Sequence, residues 1–167
     1  MIRRAIAAGL ALALGACATT PDVAAPARPD AKSYAVTQDA MGHVDAALAR
    51  AAAGGKRVLV VFGANWCHDS TALVGWLATP RFAALVAERY ELVFVNVGLP
   101  QTGDGHNLAV AGRFGLEEMK GTPALLVLTP EGEPVNLDTA ASWRNAASRS
   151  EDAIFAELSA LADQPAP

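Results

Sequence analysis

The sequence has few cysteines, few aromatic residues and little charge of either sign. Its 167 residues include two cysteines, 6% aromatic residues and 18% charged residues, with a net charge of −4. Two cysteines are too few for a disulfide scaffold or a cysteine-rich zinc site. The negative net charge excludes the basic surface that is typical of nucleic-acid-binding proteins. We therefore expect no nucleic-acid partner.

Apolar residues, in contrast, are plentiful. They make up 52% of the chain, which is enough for a core and excludes a long disordered polar polymer. The length suits one domain and leaves little room for two.

Hydrophobic runs long enough to span a bilayer are missing. The apolar run near the N-terminus covers only residues 6–16, whereas a helix needs about 20 residues to cross a ~30 Å hydrocarbon core. Arg3 and Arg4 precede this run. Positive charge followed by a short apolar stretch predicts a signal peptide over residues 1–16, and a buried helix is the alternative interpretation.

The end of that run carries a more specific pattern. The tetrapeptide Leu14-Gly15-Ala16-Cys17 resembles the bacterial lipobox. This resemblance implies cleavage before Cys17, lipidation of its thiol and a membrane anchor. Ala18 follows the cysteine, which favours the outer membrane with the chain on its periplasmic face. Proline-containing residues 17–35 are predicted to form a flexible tether, followed by a folded domain over 36–163.

Periodicity along the domain predicts alternating helices and strands. The apolar patterns indicate helices over 37–53, 67–78, 81–89, 107–114 and 150–162, and strands over 56–62, 92–97, 124–128 and 134–137. Strands joined by a helix are expected to be parallel, and strands joined by a tight turn antiparallel. This order predicts an α/β domain with a mixed four-stranded sheet flanked by helices.

One cysteine lies where a thiol can be reactive. A buried strand is predicted to lead through a short loop to Trp66 and Cys67 at the start of a helix. Unpaired backbone N–H groups and the positive end of the helix dipole at such a place favour the thiolate. Because the thiolate is the nucleophilic form, Cys67 is the candidate catalytic residue.

These residues resemble the thioredoxin family, which carries Trp-Cys-x-x-Cys after a hydrophobic strand. A second family feature is also present, since Gly121-Thr122-Pro123 precedes the predicted strand 124–128. The resemblance implies a thioredoxin-like fold over roughly residues 37–163. It also implies a cis Pro123 beside Cys67, with Thr122 and Pro123 framing the substrate groove and Trp66 flanking it.

Two positions depart from the family pattern. Ser70 occupies the position of the resolving cysteine, and Val61 replaces the buried acid that many thioredoxins use to deprotonate that cysteine. With Cys17 lipidated, the mature protein has one thiol and cannot form an internal disulfide. Cys67 is then expected to form a mixed disulfide that an external thiol must resolve. Ser70 is expected to donate a hydrogen bond to the Cys67 thiolate.

Other interpretations of the same residues are weaker. His68 and Asp69 suggest a Cys-His-Asp triad, but consecutive helical residues point about 100° apart, so His68 is a poor base for Cys67. Both are expected to tune the surroundings of the thiol, and Asp69 opposes the thiolate if it is close. A site formed by Cys67, His68 and His106 contains too few cysteines for the copper sites of thioredoxin-fold proteins, and we expect no metal and no cofactor.

The sequence therefore predicts a monothiol, thioredoxin-like redox protein of the bacterial envelope. Its partners are expected to be thiol-containing proteins or small thiols, with the membrane reached through the lipid anchor. The alternative is a non-enzymatic binding or scaffold lipoprotein that uses the same groove, with Cys67 an inert residue on a retained fold.

Overall fold

The computed structural model describes residues 30–36 and 39–167. The predicted signal peptide, Cys17 and most of the predicted tether lie outside the described residues. The helices are α1 Ala40–Gly54, α2 His68–Leu77, α3 Pro80–Arg89, α4 Leu108–Arg113 and α5 Glu151–Asp163. The strands are β1 Arg57–Gly63, β2 Tyr90–Asn96, β3 Gly98–Leu99, β4 Asp104–Gly105 and β5 Ala124–Leu128. Short 3-10 helices cover Pro100–Thr102 and Ala140–Ser148.

The central sheet is mixed, as predicted, and its strand order is β2-β1-β5. Strand β1 pairs with β2 in parallel and with β5 antiparallel. The inner strand consists mostly of valine, leucine and phenylalanine, and six of its seven residues are buried. Such a near-continuous apolar run is typical of a strand covered on both faces.

Helices cover both faces of this sheet because the side chains of β1 alternate in direction. Val58, Val60 and Phe62 belong to one buried cluster with α1 and α4. Leu59 and Val61 belong to a second cluster with α2, α3, α5 and the 3-10 segment 140–148. The sheet is therefore the middle layer of three.

The predicted fourth strand, 134–137, is reduced to one bridge between Leu128 and Pro134. The residues on either side of Pro134 form the bonds of this bridge, with Thr129 N donating to Glu133 O and Val135 N donating to Val127 O, both at 2.9 Å. Beyond the bridge, the side chain of Asn136 takes over the pairing. Its Oδ1 accepts from Val127 N at 2.8 Å and its Nδ2 donates to Leu125 O at 3.0 Å. A buried amide side chain thus replaces the backbone pairing that a longer fourth strand would provide.

The helix ends follow local capping rules. Helix α1 begins three residues later than predicted because Asp39 is its N-cap, and the Asp39 side chain accepts from Gly42 N. The helix ends before Gly55, which has a left-handed backbone with φ +64°. Ser150 caps α5 in the same way. Within the described part of the chain, no single helix is long and apolar enough to span a membrane, and only α2 and α3, bent by 78°, pass that test as a pair.

Residues 30–36 form an N-terminal strap that packs on the domain. Tyr34 is fully buried, and Ala31 N donates to Thr71 O at 3.1 Å. Asn65 pairs with both backbone groups of Tyr34, at 3.1 and 2.9 Å, and Asn96 Nδ2 donates to Tyr34 O at 3.1 Å. The described end of the predicted tether, 30–35, is therefore part of the folded unit, which begins before residue 36.

Candidate redox site

Cys67 is the N-cap residue of α2, directly after the loop that leaves β1. Its backbone is extended, with φ −84° and ψ 120°, and its carbonyl accepts from Thr71 N at 3.0 Å. The residue is only 8% exposed. The thiol therefore lies in the wall of the domain, beside the first turn of α2.

The loop before β5 meets this thiol from the other side. Cys67 Sγ donates to Thr122 O at 3.3 Å, across 55 positions of sequence. The Thr122–Pro123 peptide bond is cis, as the family resemblance implies. Antiparallel pairing of Phe62 with Ala124 brings the start of β5 next to the end of β1. Sheet register thus unites the two motifs that the sequence separates.

Trp66 projects from the loop and is 53% exposed. Its Nε1 donates to Gly98 O at 3.0 Å. Gly98 belongs to a small hairpin formed by β3 and β4. Asn96 Oδ1 holds the base of this hairpin by accepting from Gly98 N at 3.0 Å and lying 3.1 Å from His106 Nε2. The hairpin therefore positions Trp66 beside the thiol.

The two residues after Cys67 take different roles. His68 is exposed. The carboxylate of Asp69 accepts from Ala147 N at 2.8 Å, so it ties α2 to the 3-10 segment 140–148. This bond gives Asp69 an anchoring role in the fold, and its predicted effect on the surroundings of the thiol stays a prediction. Across residues 30–36 and 39–167, no group of three or more histidine, cysteine, aspartate or glutamate residues is arranged to hold a metal ion.

Ser70 lies one turn beyond Cys67 and is fully buried. No group in the described part of the chain forms a hydrogen bond with its hydroxyl. Val61, the residue in place of the family's buried acid, is also fully buried and belongs to the same apolar cluster as Tyr34. No acid therefore occupies this position beneath Ser70.

Tyr34 is the functional candidate that sequence reasoning missed. Its hydroxyl and that of Ser70 both lie against Gly63, 2.5 and 2.7 Å from the point where a β-carbon on that glycine would stand. The available signal was one large aromatic residue within a segment of small and polar residues. Hydrophobic periodicity is a property of several residues, so one buried side chain produces no such signal. The prolines of the segment therefore predict a tether.

Exposed apolar side chains lie on the hairpin and on α4. Leu99 and Leu108 are both exposed. The hairpin also borders an open pocket of about 510 Å³, which is lined by Pro100, Gln101, Leu108 and residues 117–120. In the chain, residues 117–120 come shortly before the Thr122–Pro123 loop. The hairpin and α4 therefore give this side of the domain some exposed apolar surface.

Burial raises the pKa of Tyr34 well above its ordinary value, and a negative charge on Cys67 adds to the effect, whereas nearby Ser70 opposes it. Burial likewise raises the pKa of Tyr90, against the lowering effect of Arg57 and Arg89. A raised folded-state pKa contributes stability that is present below the unfolded value, about 10, and is lost as pH rises through the folded value.

We therefore expect alkaline destabilisation to begin near pH 10, at up to about 1.4 kcal/mol per pH unit for each tyrosine. Because the chain has two tyrosines, tyrosinate absorbance and urea denaturation followed between pH 8 and 12 measure the effect. Tyr34→Phe and Tyr90→Phe should each flatten the dependence. Normal phenol titration in the folded protein would contradict the prediction.

Comparisons with known proteins agree with this geometry. Residues 39–130 match a family model described as thioredoxin-like. A solved structure described as a disulphide isomerase from Xylella fastidiosa Temecula1 is 30% identical, with a TM-score of 0.69, over 80% of this chain and 100% of that one. A comparison with curated proteins found no match. The family match covers more than half of the chain, including both β1–Cys67 and the Thr122–Pro123 loop, and the chain belongs to the thioredoxin-like family.

Proposed function

We propose that this protein is a monothiol thiol–disulfide exchange protein of the bacterial envelope. The observation that carries the proposal is the placement of Cys67, whose thiol lies between the first turn of α2 and the carbonyl of Thr122, with Ser70 in the resolving position. Family membership and the resemblance to a disulphide isomerase support a thiol–disulfide redox role.

The proposed reaction has two exchange steps. The Cys67 thiolate attacks one sulfur of a substrate disulfide, forming a mixed disulfide and releasing the other substrate sulfur as a thiolate. An external thiolate then attacks the mixed disulfide, forms a new disulfide with the substrate and releases Cys67 as a thiolate. No net oxidation of the protein occurs, so the cycle rearranges or transfers disulfides between thiols.

The external thiol is required because the second thiol of the family pattern is absent. Cys67 is free, and it is the one cysteine among residues 30–36 and 39–167. The other cysteine of the sequence, Cys17, is the proposed lipid attachment site. An outer-membrane anchor facing the periplasm would place the domain where disulfides form and persist.

Mixed-disulfide formation with glutathione disulfide tests the exchange chemistry. We expect one glutathione adduct on Cys67, found by mass spectrometry in a Cys17→Ala background and removed by glutathione or dithiothreitol. Cys67→Ser should abolish the adduct, whereas Ser70→Ala should retain it. Folding of each variant is checked by circular dichroism.

Two results would contradict the proposal. One is the absence of a glutathione adduct on Cys67 in folded protein. In that case the alternative is a binding role through the same groove, which agrees with the low exposure of Cys67. The other is a glutathione adduct on Cys67 that glutathione and dithiothreitol do not remove, because the proposed cycle requires an external thiol to resolve the mixed disulfide.

A further inference from the structure

Two buried hydroxyl groups, those of Tyr34 and Ser70, lie against Gly63 at the end of the strand that leads to Cys67. Tyr34 and Ser70 are both fully buried, and neither hydroxyl has a hydrogen-bond partner within the described residues. Both lie within 2.7 Å of the same point, the missing β-carbon of Gly63. Buried polar groups are nearly always hydrogen-bonded, so an unpartnered pair beside a nucleophile calls for a functional explanation.

Ionisation changes the sulfur of Cys67 from a hydrogen-bond donor into an acceptor only. As a thiol, Cys67 donates to Thr122 O at 3.3 Å. As a thiolate it has no proton to donate, and the carbonyl oxygen then faces a negative charge. Ser70 is the third residue of α2, one helical turn beyond Cys67, and its hydroxyl forms no hydrogen bond within the described residues. That hydroxyl is therefore available to donate to the thiolate.

We infer that Tyr34 is a positioning residue that acts through Ser70 to stabilise the Cys67 thiolate. Neither bond of this relay is formed while Cys67 holds its proton. Once the thiol has lost its proton, the Ser70 side chain turns so that its hydroxyl donates to Cys67 Sγ, and the Tyr34 hydroxyl then donates to Ser70 Oγ. The inference deepens the proposed function and depends on Cys67 as its nucleophile.

Three features support this relay. Burial keeps the pKa of Tyr34 above its ordinary value, so the phenol retains its proton over the range in which thiols ionise. The strap is held by Asn65 and Asn96, which fixes the phenol in place. A side chain on Gly63 would collide with the Tyr34 ring and with Ser70 Oγ, so glycine leaves the space that the two hydroxyls share.

Other charged or titratable groups near Cys67 are already accounted for. Asp69 binds Ala147 N, His106 binds Asn96, and Arg144 lies over Gly121. His68 on α2 and Lys32 on the strap are exposed. The buried hydroxyls through which the interior can act on the thiolate are therefore those of Tyr34, Ser70 and Thr122, and Thr122 also touches the thiol through its carbonyl.

The test is the pH profile of Cys67 alkylation by iodoacetamide, in full-length Cys17→Ala protein. Loss of a hydrogen bond to a charged group through a relay is expected to move the profile of Tyr34→Phe to higher pH by roughly 0.5–1 unit. Ser70→Ala should move it at least as far. The double variant should match Ser70→Ala alone, because Tyr34 acts through Ser70.

Tyr90→Phe is the matched control, since Tyr90 is also buried and donates to Leu158 O at 2.6 Å. This variant should lower the melting temperature without moving the alkylation profile. An unchanged profile in Tyr34→Phe, or additive shifts in the double variant, would overturn the relay. Alkylation needs no exchange partner, so these outcomes are distinct from failure to form the glutathione adduct, which would refute the proposed function.

Discussion

Ser70→Cys is expected to give the protein an internal disulfide and weak dithiol reductase activity. Cys67 and Ser70 stand at the N-cap and third positions of α2, about one helical turn apart. Oxidised Ser70→Cys should have no free thiol in a Cys17→Ala background. Its mass should be lower by two hydrogens than that of the reduced form. Insulin reduction with dithiothreitol should rise above the wild-type background.

Activity should remain weak because the introduced thiol must ionise while buried. Position 70 is fully buried, and Val61 offers no carboxylate to accept the proton. Adding Val61→Asp should raise turnover per folded molecule by roughly a hundredfold, the lower end of the range that a positioned base contributes. The opposing effect is a cost of several kcal/mol for a buried carboxylate.

Two controls separate chemistry from folding in this series. Ser70→Ala has the same buried backbone position without a thiol and should show no gain in turnover. Circular dichroism gives the folded fraction used to normalise each rate. Folded Ser70→Cys that forms no disulfide with Cys67 would refute the thioredoxin-like placement of the segment from Trp66 to Ser70.

Asn136→Ala is expected to cause the largest loss of stability from a single polar side chain. The change leaves Val127 N and Leu125 O without their partners on the outer edge of β5. Each buried unsatisfied group costs about 1–3 kcal/mol, so the free energy of unfolding should fall by roughly 2–5 kcal/mol. For a domain of this size the melting temperature should drop on the order of 10 °C.

Asn145→Ala is the matched control, because Asn145 is exposed on the 3-10 segment. Its unfolding free energy should stay within about 0.5 kcal/mol of wild type. Urea denaturation of the three proteins provides the comparison. A loss below about 1 kcal/mol in Asn136→Ala would show that water or a backbone shift satisfies the edge of β5.

The alternation of helices and strands could be predicted because it depends on local apolar periodicity. Strand β5 has the predicted bounds, 124–128, and the predicted α2 differs from the observed one by a single residue at each end. The thiol at the helix start could also be predicted, since a strand, a short loop and a cysteine lie together in sequence. Asp69 was assigned to the thiol for the same local reason.

The outer edge of β5 shows where such reasoning fails. Residues 134–137 have a strand-like pattern, yet backbone pairing ends after the bridge at Pro134 because Asn136 pairs through its side chain. Hydrogen bonds from a side-chain amide to a strand edge do not change the apolar periodicity of the sequence, so they cannot be predicted from it. Asp69 is similar, because its partner Ala147 is 78 positions away.

By itself, the sequence determined the order of the elements, the position of Cys67 at a helix start and the replacement of the resolving cysteine by Ser70. Each follows from residues close together in the chain. Only the tertiary structure decided what surrounds the thiol. Sheet register brings Thr122 to Cys67 across 55 positions, and the strap places Tyr34 beside Ser70. Contacts between distant segments are fixed by packing of the whole core, and local pattern carries no information about them.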